Sequence, residues 1–190
     1  GASSVSNTIH DVLLGIKKMR ESAYMHVSGI HVIPGSLSAE KQEATSTDDV
    51  RKHLLDLVGT GEIVIMDVGN DYVDLHNAIK AADEMIIVTT PDLPSVVDAI
   101  KIVKKAQRSG VTVVGAVVNR IKKINSEMEI KNIETMLDKP VIATINEDAA
   151  VSEALVMRHP VVYSHPESKA AKDFKKHSHF LVSTQAGVKE

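Results

Sequence analysis

Five short, almost wholly apolar runs rich in β-branched residues, set between stretches of helical spacing, leave this chain few folds to choose from. They are Ile30-His31-Val32-Ile33, Ile63-Val64-Ile65-Met66, Met85-Ile86-Ile87-Val88, residues 111–118 and Pro140-Val141-Ile142-Ala143. A run of this length without polar alternation reads as a strand covered on both faces. Between the runs, apolar residues recur at helical spacing over 47–58, 72–82, 93–109, 126–137, 148–157 and 168–181. A further helical stretch covers 11–19, with Thr8 as its N-cap. Pro94 suits the first turn of the long helix, and Ser109-Gly110 closes it. Strands alternating with helices imply right-handed βαβ crossovers. The expectation is one α/β domain over residues 1–190, a mostly parallel sheet with helices on both faces.

Composition narrows the function classes. The charge sum is 22 − 25 = −3, which argues against an electrostatically driven nucleic-acid binder. Aromatics are 3% and Trp is absent, so a base-stacking platform is not expected. The chain has no cysteine, which excludes disulfides, thiolate metal sites and thiol nucleophiles and fits a cytoplasmic location. No apolar run reaches the ~18 residues of a membrane span.

Open parallel sheets bind ligands beyond the carboxyl ends of their strands. The residues there are polar or turn-forming: Pro34-Gly35-Ser36, Asp67-Val68-Gly69-Asn70-Asp71, Thr89-Thr90-Pro91-Asp92, Asn119-Arg120 and Asn146-Glu147-Asp148. Two readings fit Asp67. At the end of a strand in a phosphate-binding sheet an Asp holds magnesium, usually through water; elsewhere it caps the following turn. Two fit Asn119 as well. Its amide can donate to and accept from a purine edge together, or it can start an Asx-turn. No G-x-x-x-x-G-K-[S/T] loop is present, and no Gly-Lys pair of any kind. Gly59-Thr60-Gly61 precedes a strand and is not a dinucleotide fingerprint. The nine histidines are scattered, without an H-E-x-x-H pair, and there is no G-x-S-x-G elbow.

Several strings in order resemble one family. They are Thr8-Ile9-His10-Asp11-Val12-Leu13-Leu14-Gly15, Val32-Ile33-Pro34-Gly35-Ser36-Leu37-Ser38, and Ala81-Ala82-Asp83-Glu84-Met85-Ile86-Ile87-Val88-Thr89-Thr90-Pro91-Asp92 with Ser95-Val96-Val97-Asp98-Ala99. Val117-Val118-Asn119-Arg120, Glu147-Asp148, Pro160-Val161-Val162-Tyr163-Ser164 and Pro166-Glu167-Ser168-Lys169-Ala170-Ala171 follow. Together they resemble the MinD/ParA group of deviant-Walker-A P-loop ATPases, and the archaeal-type MinD proteins most. The resemblance implies a P-loop NTPase-like fold of SIMIBI type and a magnesium- and ATP-dependent switch. Such a switch is a homodimer with ATP that positions other assemblies, as in cell division or chromosome and plasmid partitioning. It implies a regulatory or cargo protein as partner and peripheral membrane association as one attachment, with no specific nucleic acid. By resemblance Asp67 is the Walker B aspartate that serves the metal and Asn119 the adenine-contacting asparagine. Asn146, Glu147 and Asp148 lie on the loop that frames the base, and Gly69 to Asp71 on the second switch loop.

The family opens with a strand, a Lys-Gly-Gly-x-Gly-Lys-Thr loop and a second strand bearing the switch I aspartate. Gly1 falls just after that region, so an N-terminally truncated, carboxyl-side portion of the domain is expected. No catalytic residue is assigned, and hydrolysis by these 190 residues alone is expected to be negligible. The family's Ile-Pro-Glu-Asp reads Ile145-Asn146-Glu147-Asp148 here. Two other classes stay open: a non-catalytic protein-interaction module derived from the family, and an unrelated α/β enzyme using Asp67, Asp92 and Asn119 on a phosphorylated metabolite. The tail from Phe174 to Glu190 carries too little apolar surface for a membrane helix and is expected to pack as an ordinary one.

Overall fold

The computed structural model describes residues 7–26, 28–36, 50–59, 61, 63–69 and 72–185. The chain divides into two compact units, Gly1–Asp83 and Glu84–Glu190.

In the first unit, α1 (Ile9–Leu13) starts at Thr8, as expected. The Thr8 N–H and Oγ1–H both donate to Asp11 Oδ2, at 2.9 and 2.7 Å. Gly15, at φ 72°, turns the chain out of the helix, so the helical stretch expected over 11–19 stops early. A single 3-10 turn, Met19–Ser22, follows it. The run at 30–33 does not form a covered parallel strand. Instead β1 (Tyr24–Met25) and β2 (His31–Val32) pair antiparallel around a turn that Gly29 makes at φ 86°. Two residues a side cannot bury a face, and Ile30 stays 58% exposed. The expected helix over 47–58 reduces to α2 (Val50–Leu54) and a 3-10 turn, Leu55–Leu57; residues 47–49 lie outside the described residues. The run at 63–66 is also corrected. It carries no strand ladder among the described residues, and Ile65 is 79% exposed. An extended segment becomes a strand only when its N–H and C=O groups find partners. α3 (Tyr72–Ala81) forms as expected and buries Leu75, Ala78 and Ile79.

The second unit follows the sequence pattern closely. β3 (Glu84–Thr89), α4 (Leu93–Arg108), β4 (Thr112–Ile121), α5 (Ile130–Leu137) and β5 (Val141–Asn146) alternate along the chain. They build a parallel sheet in the order β3-β4-β5. α6 (Ala149–Met157), a short α7 (Val161–Ser164) that the sequence pattern did not announce, and α8 (Lys169–Gln185) complete the unit. α4 is capped by Asp92, whose Oδ1 accepts the Ser95 N–H at 3.0 Å. Pro94 stands in its first turn, where a missing N–H costs nothing. Val96, Ala99, Val103 and Ala106 recur along one face of α4. They share a core with Ile87, Val113, Ala116 and Val118 of the sheet and Ile133 and Leu137 of α5. Burying each larger aliphatic side chain contributes about 1.5–3 kcal/mol against chain entropy. α5 begins four residues later than the spacing suggests. Glu127 is spent on the preceding turn, accepting the N–H groups of Lys122 and Lys123 at 2.7 and 2.8 Å. The β4–β5 contact is tight at Gly115, where a Cβ would come within 2.6 Å of Ile142 Cγ2 and 2.7 Å of the Pro140 carbonyl oxygen.

Candidate site at the carboxyl edge of the sheet

Parallel strands deliver their carboxyl ends to one edge, and here β4 and β5 bring Asn119 and Asn146 there. The register of the pair slips between Val118 and Ile121, setting Ile121 opposite Asn146. The Glu147 N–H then donates to the Ile121 carbonyl at 2.9 Å, which fastens the loop after β5 to the end of β4.

Asn119 is half-buried. Its Oδ1 accepts the N–H of the next residue, Arg120, at 2.9 Å, a tighter local bond than an Asx-turn makes. One lone pair of Oδ1 and the Nδ2 donors remain for a ligand. Arg120 stands at φ 61°, a left-handed conformation uncommon for a long side chain. Its guanidinium meets Glu147, with Nε 2.9 Å from Oε2 and Nη2 3.3 Å from Oε1. That hydrogen bond holds the Glu147 carboxyl below its ordinary range. Both Glu147 oxygens are therefore engaged by a side chain of the neighbouring strand.

Asp148 is the N-cap of α6. Its Oδ1 accepts the Ala150 N–H and its Oδ2 the Ala170 N–H at the start of α8, each at 3.0 Å. These bonds, the one from Ala170 foremost, keep its carboxyl below the ordinary value. Asn146 is gripped from α8 as well. Its backbone N–H and Nδ2 both donate to Asp173 Oδ2, at 2.9 and 2.7 Å. Burial raises the Asp173 carboxyl, but the two bonds from Asn146 outweigh it and leave it below the ordinary value. The anion also fixes the amide orientation, since a flip would set Oδ1 against a carboxylate. Asn146 Oδ1 is buried with no hydrogen-bond partner among the described residues.

Asn119, Asn146, Glu147 and Asp148 thus share one edge: Asn146 closes β5, and Glu147 and Asp148 follow it into the next helix. Asp67 lies exposed in the first unit, among the described residues 63–69, which carry no strand or helix. No group of three or more metal-ligating side chains occurs among the described residues. Asp92 caps α4 within a network with Thr90 and Ser95. Of the second switch loop, Asn70 and Asp71 lie outside the described residues. Sequence reasoning missed two contributors. Arg120 stood in a quoted string with no role, and its only signal was its place after Asn119. Asp173 had no signal, because it meets Asn146 only when α8 packs on β5. Among the described residues no helix is long and apolar enough to cross a membrane.

Comparison with known proteins gives this edge its setting. The model of the family described as cellulose biosynthesis protein BcsQ matches residues 12–180. An uncharacterised ATP-binding protein of Methanocaldococcus jannaschii is 36% identical over 171 residues, covering 86% of this chain and 62% of that protein. The chain thus spans less than two thirds of that relative's length. A second ATP-binding protein of the same organism is 29% identical over 184 residues, covering 95% of this chain and 68% of its own length. Among solved structures, the Pyrococcus furiosus cell division ATPase MinD superposes with a TM-score of 0.88 at 24% identity, covering 97% of this chain and 78% of that one. MinD of Pyrococcus horikoshii, complexed with Mg-ADP, does so with a TM-score of 0.82 at 23% identity, covering 99% and 79%. These two likenesses show an α/β P-loop NTPase fold. With a family match that takes in most of its length, the chain belongs to the MinD/ParA family of P-loop ATPases.

Proposed function

We propose that this chain is the base-reading, carboxyl-side part of a MinD/ParA-type switch that binds ATP with magnesium and positions another assembly in the cytoplasm. The observation that carries the reading is the paired strand ends. Asn119 offers a donor and an acceptor at the sheet edge, beside a loop held by Arg120, Asp148 and Asp173. An asparagine amide matches the 6-amino group and a ring nitrogen of adenine with its two halves. In this reading Asp148 acts through the loop that it caps, since both its oxygens are taken. Asp67 is proposed as the residue that serves the metal. In this reading the Asn119 amide supplies the donor and the acceptor for an adenine base. By themselves the residues present do not fit a magnesium-bound triphosphate, because the sequence has no Gly-Lys loop and the described residues gather no metal cluster. No step of phosphoryl transfer is assigned to them. Homodimerisation on ATP, a regulatory or cargo partner and peripheral membrane attachment belong to the same proposal. It is supported by the family and, for a protein partner, by the solved MinC:MinD cell division protein complex of Aquifex aeolicus, a protein of this fold.

Calorimetric titration of the chain with adenosine, ADP and ADP plus magnesium tests the reading. The expected result is adenosine binding that phosphates and magnesium leave within about threefold, with ATP hydrolysis at background. Binding that requires magnesium would move the recognition to the phosphates. The second reading, an interaction module, is favoured by the apolar side chains of Leu155, Val156 and Tyr163, which stay 72, 85 and 66% exposed. It predicts no response to any adenine compound.

A further inference from the structure

We propose that His165 is a proton-operated latch that holds α7 against α6, fastened when its imidazole is charged and released when the proton leaves. Three contacts and a count of their protons point to it. Ser164 Oγ–H donates to the Pro160 carbonyl at 3.2 Å. That hydroxyl has one proton, so toward His165 Nδ1, 3.0 Å away, it can only accept. Nδ1 must then carry a hydrogen. Across the ring, Nε2 stands 3.3 Å from Glu153 Oε2. A carboxylate offers only lone pairs, so Nε2 must carry a hydrogen as well. Only the imidazolium carries both. A neutral ring gives up one of the three contacts. With its proton on Nδ1, Nε2 turns a lone pair toward Glu153. With the proton on Nε2, Ser164 must leave Pro160 to serve Nδ1.

The latch sits where three helices meet. Ser164 is the last residue of α7, and the His165 N–H closes that helix on the Val161 carbonyl at 2.9 Å. The His165 carbonyl accepts the Ser168 N–H at 3.0 Å, just before α8 begins. Val161 of α7 packs in a small core with Ala154 of α6 and Ala171 of α8. It is the one buried residue of α7, a helix of four residues, so a single side-chain contact weighs heavily there. Two carboxylates of the α6 side favour the charged ring. Glu153 is the ion-pair partner. Asp148, held low first by the Ala170 N–H, is lowered further by a charge on His165. The cations on the same elements are Arg158 at the end of α6 and Lys169 and Lys172 of α8, of which Lys172 is paired with Glu167 at 3.1 Å. α7 itself brings only Tyr163, whose ring stacks on His159 with centroids 5.7 Å apart. Histidine ordinarily changes charge between about pH 5 and 8. Falling pH in that range stiffens the joint on which α8 turns, and rising pH loosens it.

Hydrogen exchange of the whole chain at about pH 5.5 and about pH 8 tests the latch, across the ordinary histidine range. Each rate is taken relative to an unstructured peptide at the same pH, and amides in the middle of α4 serve as reference. The readouts are the Ser164 and His165 amides, which donate to Pro160 and Val161. Their protection relative to α4 should be at least about threefold higher at the lower pH, the loss of one hydrogen bond or ion pair. His165→Gln cannot titrate and should bring that ratio to within about 1.5-fold of unity. Glu153→Gln should at least about halve the response, since it removes one of the contacts that the imidazolium satisfies. His159→Gln removes the neighbouring histidine and should leave the response whole. Each variant is first checked by a melting curve, and if His165→Gln does not melt cooperatively, Glu153→Gln decides. The latch is overturned by a parent ratio near one or by α7 amides that exchange at the free-peptide rate at both pH values. It is overturned equally by a full response in His165→Gln or Glu153→Gln, or by one that disappears with His159→Gln.

Discussion

The two units spend similar sequences in opposite ways. In the second, β3, β4 and β5 are joined edge to edge and roofed by α4 and α5, and Ile87, Val113, Val118 and Ile145 are buried, although Val88 stays 65% exposed. In the first, runs of the same kind lie open. Ile63, Val64 and Ile65 are 45, 53 and 79% exposed, and the hairpin strands are two residues each. An apolar run is a request for cover on two faces and for hydrogen bonds on two edges. It becomes a buried strand only where the rest of the chain meets both.

The contrast can be broken most directly by hydrogen exchange. Amides in the middle of β4 should exchange through global opening, at least about a thousandfold slower than those at 63–66, which should exchange near the free-peptide rate. Comparable protection in the two segments would remove the distinction. Substitutions sharpen it. Ile133→Ala, in the core of the second unit and fully buried, should cost about 2–5 kcal/mol in denaturant melts. Gly115→Ala should cost about 1–3 kcal/mol, because its methyl meets the Pro140 carbonyl and Ile142 and the backbone side of that contact cannot yield.

Much of the second unit was legible. Its strands fall within a few residues of the apolar runs, since short βαβ units write burial directly into composition. What was not legible lies where tertiary partners decide. The run at 30–33 found only the two-residue β1 as a neighbour, and the run at 63–66 has no strand partner among the described residues. In the candidate site, strand-end position pointed to Asn119 and the loop from 146 to 148, but it could not say which atoms are already spoken for. Asp148 reads as a loop carboxylate and turns out to cap two helices. Asp173, twenty-seven residues from Asn146, was hidden by that distance.

A pH series bears on those same ties. The Asp148 and Asp173 carboxyls lie below their ordinary values when folded, so on acidification the unfolded chain takes up these protons first. Their stabilisation is whole above the unfolded value near ~3.9 and is lost as pH falls through the lower folded values. Replacing both, Asp148→Asn with Asp173→Asn, should flatten the fall in stability below about pH 4 measured by circular dichroism. An unchanged acid limb would count against the ties. The smallest effect is expected from Ile65→Ala. It should stay within about 0.5 kcal/mol of the parent, because so exposed a side chain has little burial to lose.

The first turns of α8 are bolted to the loop at 146–148 twice, by Asp148 to Ala170 and by Asp173 to Asn146. α8 runs on for 17 residues from Lys169, about 25 Å at 1.5 Å per residue. A rod of that length anchored at its foot is a lever arm. A tilt of about 5° imposed at the loop displaces its tip by about 2 Å, so a spin label near the end of the helix would read movements of the loop magnified.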